Sequence, residues 1–312
     1  MNTELLKNLC AVPATAGDEG KMRDFILDFF SKNSKDFKVM PQIYSGAGFQ
    51  DMVIAVFGEP RTAVLAHTDT VGYTVAYKNE LYKIGNPKAK AGTKMVGEDS
   101  IGRIECTLKI IKKKKGRARE ETYKYEASRS IKPGTILTYA PDWKETKNFV
   151  KSAYLDNRLG VWNALELAFH IKNGALVFTT YEEHGGGGAQ FAGRFLQENF
   201  GVQQALISDV TLLSDSIKHK QGVAISIRDR GIPRRCFVQK IIEIASENDV
   251  KFQLEVEKSG GSDGNSLQHS SYTWDWCFIG PPEDNYHQPG EKVHKEDIGE
   301  MQKLYRILVE KL

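Results

Sequence analysis

The chain has little from which to build a disulfide framework. Its 312 residues include four cysteines, Cys10, Cys106, Cys236 and Cys277, scattered and without a Cys-x-x-Cys pair. That spacing excludes a zinc knuckle and reads as isolated thiols in a reducing compartment. No apolar run approaches the roughly 20 residues that a membrane helix needs. The opening MNTELLKNLCAVP has no basic region followed by a long apolar stretch, so no secretory signal is expected. Cytoplasm is the expected location, and no membrane partner is expected. An excess of one charge is also missing. Lys and Arg number 43 against 40 Asp and Glu, a net +3, which argues against nucleic acid as the main partner. The most basic run, Lys112–Lys115 with Arg117 and Arg119, is followed at once by Glu120 and Glu121 and reads as a solvated hairpin tip.

What is present is an ordinary apolar fraction with mixed charges, enough for a packed core in one large or two ordinary domains. Helical spacing of Met22, Phe25, Ile26, Phe29 and Phe30 predicts a helix over Asp18–Lys32, after a short one at Glu4–Leu9. Strands are expected at Val39–Ile43, Met52–Phe57, Thr62–Ala66 and Gly72–Tyr77. From about Lys78 to Asn148 helical periodicity is absent, and short β-like pieces (Leu81–Ile84, Ile101–Ile111, Tyr123–Ala127, Ile136–Tyr139) are separated by Gly, Pro and Lys. This predicts a small β-barrel or sandwich inserted into an α/β domain. Beyond it strands and helices alternate again. Helices are expected at Asn157–His170, Gly188–Phe195, Pro233–Glu247 and Lys295–Leu312. Strands are expected at Ala175–Tyr181, Ala205–Ile207, Val223–Ile227, Phe252–Val256 and Trp276–Ile279. The fold class is therefore three-layer α/β/α with a mixed sheet. The catalytic domain is discontinuous, residues 1–77 and 149–312, and the inserted β-barrel spans 78–148.

Acids and imidazoles gather where predicted strands end, the place where open α/β sheets bind ligands. AHTDTVG (66–72) places His67 and Asp69 two apart, on one face of a strand. Asp156 stands in AYLDNR before a helix. Glu182 and Glu183 leave the apolar run ALVFTTY and meet His184 and four glycines. Asp209 follows Ala205–Ile207, and His287 follows the last strand. Each has a plainer reading alone: Asp156 as an N-cap, Asp209 as a turn residue, His287 and His184 as loop imidazoles. Together, two His and three or four carboxylates are the donor set of a two-metal hydrolytic site. Gly185–Gly188 lacks GxxxxGK[ST], and the acids before it would repel phosphate.

The order HTD, LDNRLG, EEHGGGGA, SDV, GGSDG, NYHQPGEKV resembles the M42 family of metallo-aminopeptidases, the glutamyl, deblocking and tetrahedral types, over nearly the whole chain. The opening AVPATAGDEGKMRDFI is similar to that family's N-terminal segment, and the inserted β region lies where the family carries a PDZ-like dimerisation domain. The resemblance implies two divalent metal ions per chain, most simply zinc, with cobalt or manganese served by the same donors. It implies that Asp156 bridges them, that His67 and Asp209 complete one ion, and that Glu183 and His287 complete the other. Glu182 would be the general base, activating a water for attack on the scissile carbonyl, and Asp69 would support His67. Gly260, Gly261 and Asp263 match a substrate-side loop. The implied substrates are short peptides that lose N-terminal residues, and the implied assembly is a homo-oligomer, at least a dimer, the family's dimers building into tetrahedral dodecamers. One departure is Asn157, where the family has Asp after the bridging Asp, often across a cis bond; the cis bond is expected to persist. Two alternatives keep the sequence but change the outcome: a deacylase or other amidohydrolase of the same fold, and a catalytically silent scaffold homologue. A glucanase needs two acids flanking a sugar and gives the His pair no task.

Overall fold

The computed structural model describes residues 1–115 and 118–312. Its organising element is an eight-stranded mixed sheet in the order 42–44, 53–57, 174–179, 62–67, 204–208, 275–280, 223–228, 252–256. The four strands at its middle, Gly174–Thr179, Thr62–His67, Gln204–Ser208 and Asp275–Gly280, are parallel. Thr179 stands opposite His67 and Ser208 opposite Ile279, so these strands run out at one edge.

The middle strands are apolar almost throughout because both faces are covered. Along Val53–Phe57, residues Val53, Ala55 and Phe57 enter one apolar cluster, while Ile54 and Val56 enter another. The first cluster is closed by helices Thr3–Ala11, Gly20–Lys32, Leu155–Leu167, Arg235–Glu247 and Lys295–Lys311. The second is closed by Gly188–Phe200 and Asp263–Gln268. Most of these helices bury one apolar side against the sheet, whereas Leu155–Leu167 is buried nearly all round.

The segment without helical periodicity forms a closed six-stranded antiparallel barrel, in the order 72–75, 80–84, 118–126, 102–115, 94–99, 136–139. Its interior holds Tyr73, Leu81, Met95, Leu108 and Leu137. The strand Gly72–Val75, which the sequence placed as leaving the His67 region, is the barrel's first. The hairpin joining 102–115 to 118–126 pairs Lys112 with Glu121 at 2.9 Å; its expected tip, including Arg117, lies outside the described residues. A second, five-stranded sheet (144–145, 149–152, 291–294, 282–284, 211–212) lies beside the first. It has no counterpart among the predicted strands: two of its strands are two residues long, and the others carry at most two apolar residues among charged and polar ones. No helix among the described residues is long and apolar enough to cross a membrane.

Candidate metal centre

Each functional side chain is delivered by a strand end or the turn after it. His67 closes Thr62–His67, Glu182 and Glu183 follow Gly174–Thr179, and Asp209 follows Gln204–Ser208. Asp156 sits at the start of the helix Leu155–Leu167 with non-helical φ and ψ, and the Asp156–Asn157 peptide bond is cis. Asn157 donates through Nδ2 to Ser208 O at 2.8 Å and accepts Gly160 N–H at 2.9 Å, so its amide ties this turn to the neighbouring strand. His287 arrives from the loop after Pro282–Asp284, in the left-handed region (φ 59°).

These groups meet around Asp156. His67 Nε2 lies 3.3 Å from Asp156 Oδ1, 3.5 Å from Asp209 Oδ2 and 4.0 Å from Glu182 Oε2. On the other side His287 Nε2 lies 3.3 Å from Asp156 Oδ2 and 3.2 Å from Glu183 Oε1. Two triads result, His67–Asp156–Asp209 and Asp156–Glu183–His287, each with its donor atoms within 4.8 Å of one another. Both imidazoles turn Nε2 inward, and each has its Nδ1 against a backbone carbonyl: His67 at 3.1 Å from Asp69 O, His287 at 3.0 Å from Asn86 O. A carbonyl there selects the Nδ1–H tautomer and leaves Nε2 as the ligand atom.

The electrostatics ask for cations. Burial opposes charge on His67, but Asp209, Asp156 and Asp69 outweigh it and raise its pKa well above normal. For His287 burial is likewise outweighed, by Asp156 and Glu183, and its pKa rises to about 11. Burial presses Asp156 upward, yet the two imidazoles hold it below the usual carboxylate range. Glu183 is pushed up to about 7 by burial, against the pull of His287. Glu182 is raised well above normal by burial, helped by Glu183, Asp209 and Asp263 and opposed by His67. Four inward carboxylates against two imidazoles is an unbalanced set. Two divalent cations fit it in charge, donor type and donor number, three protein ligands to each with room left over.

The remaining expected residues are placed as follows. Asp69 is fully buried, and its carboxylate accepts the backbone N–H of Glu182 at 3.0 Å and of Glu183 at 2.8 Å. Its Oδ1 is 3.5 Å from His67 Nδ1, farther than its own carbonyl. Gly260 and Gly261 line the cavity of about 270 Å³ that opens onto the centre. Asp263 is 2 % exposed and accepts from Thr179 Oγ1; unlike the two glycines it does not line that cavity, and burial raises its pKa to about 7. His184 Nδ1 accepts the Gly85 N–H at 3.0 Å, a tie to the barrel. Several supporting groups do not stand out from the sequence, although Glu291 and Glu19 lie inside the segments NYHQPGEKV and AVPATAGDEGKMRDFI. Glu291 accepts Asp156 N–H at 3.2 Å, Glu19 accepts Tyr181 N–H at 3.1 Å, and Tyr139 donates to His287 O at 2.9 Å.

Comparison with known proteins identifies the family and the fold. The family model of the M42 glutamyl aminopeptidases matches residues 118–304, more than half of the chain and including Asp156, Glu182, Glu183, Asp209 and His287. The chain belongs to the M42 peptidase family. It is a peptide hydrolase. A protein of Acetivibrio thermocellus named as a candidate aminopeptidase is 24 % identical over 96 % of each chain. The fold of this M42 member is similar to that of an aminopeptidase from the archaeon Desulfurococcus kamchatkensis, with a TM-score of 0.84, 20 % identity and coverage of 99 % and 94 % of the two chains. It is also similar to the TET1 peptidase of Pyrococcus horikoshii, with a TM-score of 0.79, 20 % identity and 98 % coverage of both.

Proposed function

We propose that this M42 member is a two-metal aminopeptidase that removes N-terminal residues from short peptides. The observation that carries the reading is the placement of Asp156, whose two oxygens each stand 3.3 Å from the Nε2 of a different histidine. One carboxylate shared by two triads is what a bridging ligand requires. His67 and Asp209 would hold one ion with it, Glu183 and His287 the other. Zinc suits these donors, as cobalt and manganese do.

The bound ions would supply Lewis acidity at the scissile carbonyl and a nucleophile available at neutral pH. Everything else falls to the chain. Glu182 stands at the rim of the His67 triad and is the group placed to take a proton from the attacking water and return it to the leaving amine nitrogen. Its raised pKa suits a carboxyl that must hold that proton between the two transfers. Asp69 fixes the backbone at Glu182 and Glu183, and through its own carbonyl the tautomer of His67. Gly260 and Gly261 present backbone without side chains to the substrate.

For the rest of the molecule, we take residues 1–77 and 149–312 as a three-layer α/β/α catalytic domain. Residues 78–148, joined in the barrel by Gly72–Val75, are a PDZ-like dimerisation domain. A TET1 peptidase of this fold forms a dodecamer in its crystal structure, and this likeness supports a homo-oligomer of at least two chains here; we place the chain in the cytoplasm. The test is release of free amino acids from a panel of short peptides, before and after chelation and zinc or cobalt return. Chelator-sensitive release restored by metal is the expected result. Two bound ions with no release from any free N-terminus would replace peptides with another acyl amide as substrate.

A further inference from the structure

The barrel does more than border the centre, and one of its cavities has the wrong charge for a bystander. The loop 85–88 leaves the barrel strand Glu80–Ile84 and touches the site at several points: the Asn86 carbonyl meets His287 Nδ1, and the Lys88 N–H donates to His287 O at 2.9 Å. Asn86 and Tyr286 both line the catalytic cavity. The same loop, through Pro87 and Lys88, lines a second cavity of about 370 Å³, whose wall includes Lys83, Lys88, Lys90 and Lys112 and one acid, Glu121. Glu121 is already committed, to Lys112 at 2.9 Å and to the Tyr123 hydroxyl at 2.7 Å. Lys83 and Lys88 form no ion pair among the described residues. Each ammonium rests instead on a ring, Lys83 Nζ 4.6 Å from the centroid of Tyr123 and Lys88 Nζ 3.2 Å from that of Tyr286. Glu121 is the one acid of this wall and lies in the field of Lys83, so the wall, with four lysines, stays net positive and suits an anion.

Resting on the aminopeptidase reading, we propose that Lys88, with Lys83 beside it, forms a subsite for the C-terminal carboxylate of a short peptide. Distance supports this. The Tyr286 ring centroid is 4.8 Å from that of His287, and the Lys88 ammonium is a further 3.2 Å from Tyr286. An extended chain advances about 3.3–3.6 Å per residue. The ammonium therefore stands no more than two to three extended residues from the His287 ring, about where a short peptide ends. Polarity agrees as well. The catalytic cavity carries Asp229, Glu255 and Glu257 in addition to the acids of the centre, and no Lys or Arg lines it. A free peptide, cationic at one end and anionic at the other, matches an acidic catalytic cavity with a basic cavity on the neighbouring barrel. The barrel would in this way count peptide length.

The experiment compares X-Gly-Gly tripeptides with free carboxylates against the same peptides as C-terminal amides, using the metal-loaded full chain. The free acids should show a KM roughly tenfold lower, with kcat little changed, about the gain of one charge-assisted contact. Lys88→Met should raise KM for the acids and leave the amides as they were, and Lys88→Arg should restore the difference. Equal KM values for acid and amide in the unaltered protein would overturn the subsite while leaving the aminopeptidase intact. A Lys88→Met variant that lost activity equally on both would show a structural role only and overturn it too. If no peptide is cleaved, the aminopeptidase reading fails by itself; calorimetric binding of the same acid and amide pair to Glu182→Gln protein then decides the subsite, tighter acid for it and equal affinity against it.

Discussion

The carboxylate of Asp69 accepts the backbone N–H of Glu183, 2.8 Å away and on the neighbouring strand's exit. Its other oxygen takes the N–H of Glu182 at 3.0 Å. A single buried anion thus holds the turn that presents both the proposed base and a proposed ligand, and it also faces His67. Its role reaches beyond one histidine. Asp69→Asn keeps the shape but offers one acceptor oxygen, so an NH2 group would confront a backbone N–H. Losing a hydrogen bond to a charged group costs about 1.5–3 kcal/mol. We expect kcat/KM to fall by roughly ten- to a hundredfold, with the protein still folded by circular dichroism. Unchanged kinetics in Asp69→Asn would remove the positioning role.

Glu182 and Asp156 are neighbours at the centre with separable tasks, so paired variants tell them apart. Glu182→Gln removes a proton acceptor but neither triad, and should keep two ions per chain while kcat drops about a hundred- to ten-thousandfold. Asp156→Ala removes the carboxylate that both triads share, and should lose metal as well as activity. Metal content by plasma mass spectrometry checks both. Two ions retained in Asp156→Ala would refute bridging, and full turnover in Glu182→Gln would refute the base assignment.

Much of this architecture can be read from the sequence where side chains carry the information. The run ALVFTTY marks a strand buried on both faces, observed as Gly174–Thr179, and the acids and imidazoles after such runs mark the sheet edge. The helix expected at Gly188–Phe195 continues to Phe200, since nothing breaks it before Gly201 in the left-handed conformation. What stays hidden is what backbone does. The carbonyl of Asn86 and the N–H of Gly85 have no letter of their own, and the loop bearing them is brought to His287 and His184 only by closure of the barrel. The small sheet through Phe149–Ser152 and Glu291–His294 is hidden because its strands, unlike the equally short Ile136–Tyr139, carry few apolar residues among charged and polar ones. Arg158 looks like a surface residue in LDNRLG. It is fully buried, its guanidinium shared among the carbonyls of Leu9, Val12 and Thr68, which ties the first helix to the His67 turn.

Glu19 gives a prediction that separates protonation from shape. It is 1 % exposed, accepts the Tyr181 N–H next to the Glu182 turn, and is pushed up to about 7 by burial and then by Asp69. An unfolded glutamate titrates near 4.3. Between these values the folded chain binds the extra proton, so the unfolded state binds fewer, and stability falls as pH rises through the interval. The contribution is favourable to folding below about pH 7 relative to above it, the reverse of a salt-bridged acid. Glu19→Gln keeps an oxygen to accept from Tyr181 and removes the titration. Thermal melts of the two proteins between pH 4.5 and 8 should show the variant gaining on the unaltered chain as pH rises, with the gap levelling off above about pH 7. A constant gap across that range would mean that Glu19 is ionised in the fold throughout, and that its neighbours tolerate the charge.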